Sequence, residues 1–293
     1  MERMMYDKPD LVRQLRTLGL NDGDTVLARV GLRAMGPLQN PGDRTLVESM
    51  LEAIGSRGTL LVYTHSPMQW FFRRDKSYVY DPRTAPSLTG RFAQTVLGWP
   101  GAFRSEHPTT SMTAIGHNAR EILRDHNHRA ASFAPFKQMI DLGAKQLLIG
   151  CTVSSPGFGS VHYVYEQLGL ANASLLSGLR GCYFNLNGVV TWFRQRDVPG
   201  CSLGYHKFYP LYREKSLLLA GKVGDADSFL IRTPEAVEVE TEAVAKSPRF
   251  SLCENPECFS CRATKLFNLR DMIPYYFLCA PRKVLKRITK RGR

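Results

Sequence analysis

Apolar positions near the start of the chain recur with the spacing of an amphipathic helix. In DLVRQLRTLGL (10–20), Leu11, Leu15 and Leu18 fall on one side, and a glycine stands near the end of the segment. The next segments alternate between strand and helix patterns: DTVLARVGL (24–32) as a strand, RTLVESMLEAIG (44–55) as a helix and TLLVYTH (59–65) as a strand. Strands that alternate with helices are typical of βαβ units, so the pattern predicts an α/β sheet.

This alternation continues through most of the remaining chain. SPMQWFFRRDKSYVYDPRTAPS (66–87) is too long and mixed for a turn and predicts an ordered, aromatic-rich excursion. PEAVEVETEAVAKSP (234–248) is compatible either with a linker to a cysteine-bearing segment or with one more helix on the same core. The clearest buried strand is AKQLLIGCTV (144–153), and SVHYVYEQLGL (160–170) follows as a helix with Ser160 as its N-cap. The other predicted elements are helices at 87–101, 117–126 and 209–221, strands at 111–116 and 227–233, and a hairpin that turns at Gly188.

Composition indicates a globular protein, because 43% of the 293 residues are hydrophobic, enough for one large domain or two small ones. No run of 18 uncharged apolar residues occurs, and MERMMYDKPD (1–10) carries charges where a secretory signal needs an apolar block. We therefore expect a cytoplasmic protein without a transmembrane segment, whose seven cysteines stay reduced. These features leave the oligomeric state open.

Positive charge is in excess, with 39 Lys and Arg against 26 Asp and Glu and a net charge of +13. RKVLKRITKRGR (282–293) holds seven basic residues and no acidic residue. Such a tail is either a solvated terminus or a contact for nucleic acid, an anionic membrane or an acidic partner. The rest of the chain is still positive, which suits an anionic ligand such as a phosphorylated cofactor and disfavours a polycationic substrate.

Several motifs follow one another in a fixed order: GTLLV (58–62), DPRTAPSLTGRF (81–92), FRSEHPTTSMTAIG (103–116), and LLIG followed by SVH (147–162). With these motifs and GKVGDADSFLI (221–231), the sequence resembles the aminoglycoside 3-N-acetyltransferase family over residues 8–265. The resemblance implies the α/β fold class, as a single-domain α/β/α sandwich with a mixed central sheet. We expect one domain over 1–280, with the cysteine-bearing segment 249–265 inside it, and the basic tail at 281–293.

The resemblance also implies an enzyme that moves an acetyl or related acyl group from CoA to an amine of an antibiotic or natural-product-like small molecule. Such a reaction needs a base for the attacking amine and hydrogen-bond donors for the thioester oxygen. The family's general base corresponds to His162, and an imidazole titrates near working pH. Taken without the family, His162 also fits a half-buried histidine at a helix start.

Contacts to the CoA thioester are implied for the Arg-Ser-Glu-His-Pro run. Arg104 and Ser105 are candidates for phosphate or pantetheine contacts, because a guanidinium forks onto phosphate oxygens and a hydroxyl adds a donor. His107 belongs to the same side, although a histidine before proline is also a common loop residue. On the acceptor side the resemblance implies Asp81, and Trp70 begins an aromatic run that either walls the acceptor cleft or packs its own loop.

Three departures from the family pattern bear on activity. The family's His-Ser-Ser strand end is replaced by Arg29 and two small or apolar residues, which removes hydroxyl donors and adds a cation beside the cofactor. The acid three residues after the base is replaced by a tyrosine, and Glu166 stands one position later. The position of the family glutamate that orients the base is occupied here by Gln195, and Asp197 corresponds to a second acidic residue of the family. Gln195 can hold an imidazole N–H but cannot stabilise an imidazolium by charge, so Glu166 or Asp197 substitutes or the rate is poor.

Two readings of function remain open at this stage. One is an acyl-CoA-dependent N-acyltransferase whose acceptor is neutral or anionic rather than an aminoglycoside. The other is a catalytically degraded family member that binds CoA or a partner, which the loss of the orienting glutamate at Gln195 favours.

Cysteines raise two further hypotheses. Cys253, Cys258 and Cys261 have a C-x4-C-x2-C spacing, so they are either free thiols or three of the four ligands of a structural zinc ion. Cys151 stands shortly before His162, which would allow a cysteine nucleophile activated by a histidine. Its position at the end of a predicted buried strand instead favours a core residue.

Overall fold

The computed structural model describes residues 5–198 and 200–282. The basic tail expected from residue 281 lies outside the described residues from position 283 onward. The strands are β1 (Thr25–Val30), β2 (Thr59–Tyr63), β3 (Gln69–Trp70), β4 (Val79–Tyr80), β5 (Phe103–Arg104), β6 (Met112–Gly116), β7 (Lys145–Ile149), β8 (Arg180–Leu186), β9 (Val189–Gln195), β10 (Leu219–Val223) and β11 (Ala226–Arg232). The α-helices are α1 (Lys8–Leu18), α2 (Gly42–Ile54), α3 (Arg91–Leu97), α4 (Ala119–Leu123), α5 (Phe136–Asp141), α6 (Ser160–Gln167), α7 (Phe208–Glu214), α8 (Thr233–Lys246) and α9 (Leu269–Pro274).

A mixed central sheet, as expected, has the strand order β10-β11-β7-β1-β2-β6-β5. Its middle is parallel, because β1 pairs in parallel with β2 on one side and with β7 on the other. The flanks are antiparallel, with β11 against β7 and β6 against β2. The carboxyl ends of β1, β2 and β7 therefore open at the same edge of the sheet, which is where α/β folds form ligand crevices.

Helices cover both faces of this sheet, because alternate residues of the buried strands point to opposite sides. Val26, Leu60 and Leu147 pack with α1, α2 and α3 in one core. Leu27 and Leu61, on the other face, pack with α4 and α5. The remaining part of that second face, around β7 and β11, packs with α6, α7 and α8. The result is the α/β/α sandwich that the family resemblance implies.

A smaller sheet lies beside the main one, with β8 between β3 and β4 and with β9 paired to β8. The predicted hairpin is confirmed, with Asn187 and Gly188 both at positive φ (52° and 85°). Two consecutive residues of this kind form the tight turn that matches the twist of paired strands, and glycine adopts it without a steric penalty.

Several predicted boundaries change for physical reasons. The helix expected at 209–221 ends at Glu214, and its apolar continuation forms β10 against β11. Segment 234–248, for which the sequence allowed a linker or a helix, forms the helix α8, because Ala236, Val239 and Val244 pack into the shared core. Ser160 is the first residue of α6 instead of its N-cap, which is Gly159. Helix α5 was not predicted, because its short segment lacks a clear periodic pattern.

Membrane crossing is not a property of the described helices. Within residues 5–198 and 200–282, none of them combines the length and the apolar character that a span needs.

Candidate active site

A cleft of about 400 Å³ opens at the carboxyl edge of β1, β2 and β7. Its size falls in the range of small-molecule sites. Its lining contains side chains that carry chemistry: Arg29, Tyr63, His65, Cys151, Ser155, His162 and Ser202. None of the described lining residues is acidic.

His162 lies in the first turn of α6 and reaches this cleft, as the sequence predicts. Its Nδ1 is 2.9 Å from the hydroxyl of Tyr205, and its ring stacks on Phe133 with centroids 4.8 Å apart. Burial raises the pKa of Tyr205 well above its ordinary value, so the phenol stays neutral. The imidazole is therefore held by a neutral hydroxyl at one nitrogen and by a ring on one face.

Arg29 reaches the same cleft from the end of β1. Its guanidinium donates to the carbonyl oxygens of Gly157 (2.8 Å) and Ser155 (3.0 Å). These bonds fasten the turn that precedes α6 to the sheet, and the cation remains part of the cleft lining. Arg29 thus positions the segment that carries His162 and gives the cleft a positive charge.

Tyr63 and His65, at the end of β2, were not singled out from the sequence. Tyr63 Oη and His65 Nε2 are buried, and neither has a hydrogen-bond partner among the described residues. Burial raises the pKa of Tyr63, and burial, followed by the charge of Arg29, lowers the pKa of His65 to about 4. Both groups are therefore neutral at pH 7, and Tyr63 keeps an O–H that it can donate. In the sequence alone, a tyrosine and a histidine at the end of a strand look like ordinary core residues. Their place in the cleft becomes apparent only when β2 is paired in parallel with β1.

Cys151 also borders the cleft, with its thiol 3.5 Å from the Arg29 carbonyl oxygen. Burial raises its pKa, which disfavours the thiolate that a nucleophile needs. This supports the core interpretation of Cys151.

Glu166 and Asp197 lie together, but not at the ring nitrogen that Tyr205 contacts. Both carboxylate oxygens of Glu166 accept from the backbone N–H of Phe133 (3.0 and 3.1 Å), and Asp197 accepts from the N–H of Ser132. Burial, followed by the hydrogen bond and the charge of Asp197, raises the pKa of Glu166 to about 10. Glu166 therefore keeps its proton at neutral pH and hydrogen-bonds Asp197. Together the two side chains hold the loop whose Phe133 ring supports His162.

Gln195 is buried and its amide donates to the Ser132 hydroxyl (3.2 Å). The expectation that Gln195, Glu166 or Asp197 takes the place of the orienting glutamate stays a prediction. All three hold the Ser132–Phe133 loop, and the hydroxyl found at His162 Nδ1 belongs to Tyr205.

Arg104, Ser105 and His107 do not line the cleft. The Arg104 guanidinium donates to the carbonyl oxygens of Thr64 (2.8 Å) and Ala85, and the Ser105 hydroxyl accepts from the N–H of Met112 (2.9 Å). His107 is fully buried, and burial lowers its pKa well below the ordinary value. Their polar groups hold internal loops together, so this geometry does not support their expected contacts to CoA, which stay a prediction.

Trp70 and Asp81 also lie apart from the cleft lining. Trp70 stacks on Phe72 and carries the Arg180 guanidinium 4.4 Å above its ring, so it packs its own loop. Asp81 pairs with Arg83 (2.6 Å), and that hydrogen bond lowers the pKa of Asp81. Asp81 here behaves as a turn residue.

Four cysteines form a cluster next to this region. The sulfur atoms of Cys201, Cys253, Cys258 and Cys261 all lie within 4.8 Å of one another. Three of them were candidates from the sequence, and the structure adds Cys201 from the loop before α7.

Comparison with protein families matches residues 27–245 to the family described as aminoglycoside 3-N-acetyltransferase. The match extends from β1 to α8 and so includes Arg29 and His162. The chain belongs to the aminoglycoside 3-N-acetyltransferase family. It is therefore an N-acetyltransferase by family, as the sequence motifs predict.

Relatives within the aminoglycoside 3-N-acetyltransferase family agree with this assignment. Aminoglycoside N(3)-acetyltransferase IX of Micromonospora chalcea is 27% identical over 251 residues, which cover 74% of this chain and 85% of the relative. Aminoglycoside N(3)-acetyltransferase VII of Streptomyces paromomycinus is 31% identical over 161 residues, which cover 50% and 56%.

Solved structures of family members share the fold. The apoenzyme of aminoglycoside acetyltransferase AAC(3)-IVa superimposes with a TM-score of 0.74 at 24% identity, covering 90% of this chain and 98% of that one. AAC-IIIb in a binary complex with CoASH gives a TM-score of 0.70 at 18% identity, covering 83% and 97%. At these identities the likeness establishes the fold, and the residues of the cleft must carry the chemistry.

Proposed function

We propose that this protein transfers an acetyl or related acyl group from CoA to the amine of an antibiotic or natural-product-like small molecule, with His162 as the general base. The observation that carries the proposal is that His162 is held in the cleft by Tyr205 and Phe133. The co-substrate assignment is supported by the family and by the relative solved with CoASH.

The reaction is a direct transfer. In the tautomer that serves as base, His162 Nδ1–H donates to the Tyr205 oxygen, and Nε2 accepts a proton from the attacking amine. A C–N bond forms at the thioester carbonyl carbon, the C–S bond breaks, and the proton passes from His162 to the departing thiolate. The products are the amide and free CoA. No step uses a metal ion.

Negative charge develops on the thioester oxygen during this attack and needs a donor close by. Tyr63 is the candidate, because its buried hydroxyl lines the cleft, keeps its proton and has no partner among the described residues. The His65 imidazole is neutral as well, but a pKa of about 4 makes it a weak base compared with an imidazole that titrates near working pH.

The acceptor is proposed to be a neutral or anionic amine instead of a polycation. The described lining of the cleft contains the cation of Arg29 and no carboxylate. Aminoglycosides carry several positive charges, and attraction to them needs acidic groups near the site.

The test is an acyl-transfer assay that detects the acylated product by mass spectrometry. Acetyl-CoA is offered with a panel that contains an aminoglycoside and monoamines of neutral and anionic character. His162→Ala is expected to lower kcat/KM by ~10²-fold or more, because a positioned base contributes about that factor. His117→Ala removes an exposed histidine outside the cleft lining and serves as the control.

Three results would contradict the proposal, the third of them only in its choice of acceptor. Turnover that survives His162→Ala in a folded variant would remove the base from its role. Intact CoA binding without turnover on any acceptor would support the alternative, a CoA- or partner-binding protein. A preference for the aminoglycoside over every monoamine would reject the acceptor assignment alone.

A further inference from the structure

The cysteine cluster defined by Cys201, Cys253, Cys258 and Cys261 has the geometry of a metal site. All four sulfur atoms lie within 4.8 Å of one another. In a tetrahedral zinc–thiolate site with Zn–S bonds of about 2.3 Å, the sulfur atoms are roughly 3.8 Å apart. Small side-chain rotations therefore suffice to close the cluster around one ion.

Backbone donors support thiolates at two of these sulfurs. The N–H of Leu203 points to Cys201 Sγ at 3.4 Å, and the N–H of Cys253 points to Cys261 Sγ at 3.5 Å. A hydrogen bond to the charged form of a group favours that form, so these donors help the thiols lose their protons to a metal.

A buried cation lies beside the cluster. Lys265 is only 4% exposed, and its ammonium donates to the Val198 carbonyl oxygen at 3.3 Å. Lys265 lies close to the Cys201 segment, since a methyl group on the neighbouring Gly200 would stand 3.0 Å from its Nζ. Four thiolates around one divalent ion carry a net charge of −2, and a buried ammonium next to them offsets part of it.

Cys201 connects this cluster to the active-site cleft. It belongs to the loop in which Gly200 and Ser202 line the cleft and Tyr205 contacts His162. The loop also lies directly against the Cys253 segment, since a methyl group at Gly204 would collide with the Ser251 carbonyl oxygen. Lys207 adds a hydrogen bond to the Leu252 carbonyl oxygen (2.8 Å).

We infer that Cys201, Cys253, Cys258 and Cys261 bind a structural zinc ion, which fastens the loop carrying Tyr205 to the segment after α8. A set of four soft thiolate ligands selects zinc over the hard cations that prefer oxygen ligands. Metal binding does not depend on the proposed reaction. Only the effect of the zinc ion on catalysis, through the loop that places Tyr205 next to His162, rests on the proposed function.

The metal content of the full-length protein tests the inference. Protein expressed with zinc in the medium is dialysed without chelator, and its zinc and free thiols are quantified. We expect one zinc per chain, released by a mercurial reagent that titrates the cluster thiols. Replacement by cobalt should produce thiolate-to-cobalt charge-transfer absorption, which does not require catalytic activity.

Single substitutions assign the ligands. Cys201→Ser is expected to bind zinc at least tenfold more weakly than the wild type, and Cys258→Ser offers a second variant should the first be insoluble. Cys279→Ser is the matched control, because Cys279 is also partly exposed but lies outside the cluster. Chelator should lower the melting temperature of the wild type and of Cys279→Ser, and zinc should restore it.

Three outcomes would overturn the inference: a folded protein without zinc whose cluster thiols all titrate freely, cluster cysteines found as disulfides, or full zinc affinity in Cys201→Ser. A metal-loaded protein that fails to acetylate any amine would leave this inference standing and count only against the proposed function.

Discussion

Replacement of Tyr205 by phenylalanine removes one oxygen atom from the immediate surroundings of His162. The lost contact is the 2.9 Å hydrogen bond between the phenol and Nδ1. A hydrogen bond between neutral groups contributes about 0.5–1.5 kcal/mol, and one to a charged group about 1.5–3 kcal/mol. Because the imidazole is neutral before proton transfer and charged after it, the loss weighs more heavily on the transition state, by ~1 kcal/mol.

That difference predicts a fall in kcat/KM of about 5-fold from the lost contact alone, and up to about 30-fold if the ring also loses its orientation. It also predicts a change in pH dependence. The Tyr205 oxygen accepts from the imidazolium and so stabilises the protonated base. Removing it should lower the apparent pKa of the base and move the acidic limb of kcat/KM to lower pH, by under about one unit.

The assay is a pH–rate profile with saturating acetyl-CoA and the best acceptor of the panel. Tyr165→Phe is the matched control, since Tyr165 lies on α6 together with His162. Its hydroxyl binds the Pro248 carbonyl and the Ser251 hydroxyl instead of the imidazole. A Tyr205→Phe enzyme within twofold of the wild type, with its acidic limb unmoved, would refute the reasoning. A lower rate with an unmoved limb would reduce Tyr205 to a packing residue.

Two further predictions concern stability. Burial raises the pKa of Glu240 to about 8, so between the unfolded value of about 4.3 and pH 8 the folded chain holds a proton that the unfolded chain has released. The free energy of unfolding should therefore fall as pH rises through this window, by at most ~1.4 kcal/mol per pH unit. Urea titrations at pH 5, 6.5 and 8 measure this dependence, and Glu240→Gln should make it weaker. An equal pH dependence in the wild type and Glu240→Gln would contradict the raised pKa of Glu240. Gly159→Ala places a methyl group against Tyr63 Oη at the start of α6, so we expect a loss of about 1–3 kcal/mol and a lower melting temperature. Gly98→Ala, whose new methyl group finds no atom closer than 3.7 Å at a φ of −86°, should leave the melting temperature nearly unchanged, and similar losses in the two variants would reject the steric argument.

Local patterns in the sequence identify most of the main sheet, because hydrophobic spacing reports directly on which positions are buried. Strands β1, β2, β6 and β7 fall inside predicted segments, and β11 begins one residue before its predicted segment, at Ala226. The pattern fails at β10, where the apolar run after α7 satisfies a helix or a strand equally well. This run becomes a strand because it pairs with β11, and a local sequence pattern gives no information about that pairing.

The candidate site divides in the same way. His162 is recognisable because it stands in a motif, whereas Tyr205 and Cys201 become relevant only when the chain brings distant segments together. Arg104 shows a different limit of the sequence. Its charge indicates a ligand contact on paper, but the guanidinium satisfies internal carbonyl groups. Charge in a sequence does not report burial, and burial decides which partner a cation takes.

Strand β7, which precedes His162 in the chain, pairs with strands β1 and β11, which the ribosome synthesises at very different times. During synthesis β7 can pair early with β1, but its other edge waits for β11, which ends at Arg232. Glu240, which accepts a hydrogen bond from Ser160 at the start of α6, is made later still. A ribosome that stalls before these residues releases a chain with an open sheet edge and an unfinished cleft, the kind of product that aggregates or reaches cellular proteases. Acetyl transfer by the proposed route is consequently a property of the finished polypeptide and not of its amino-terminal half.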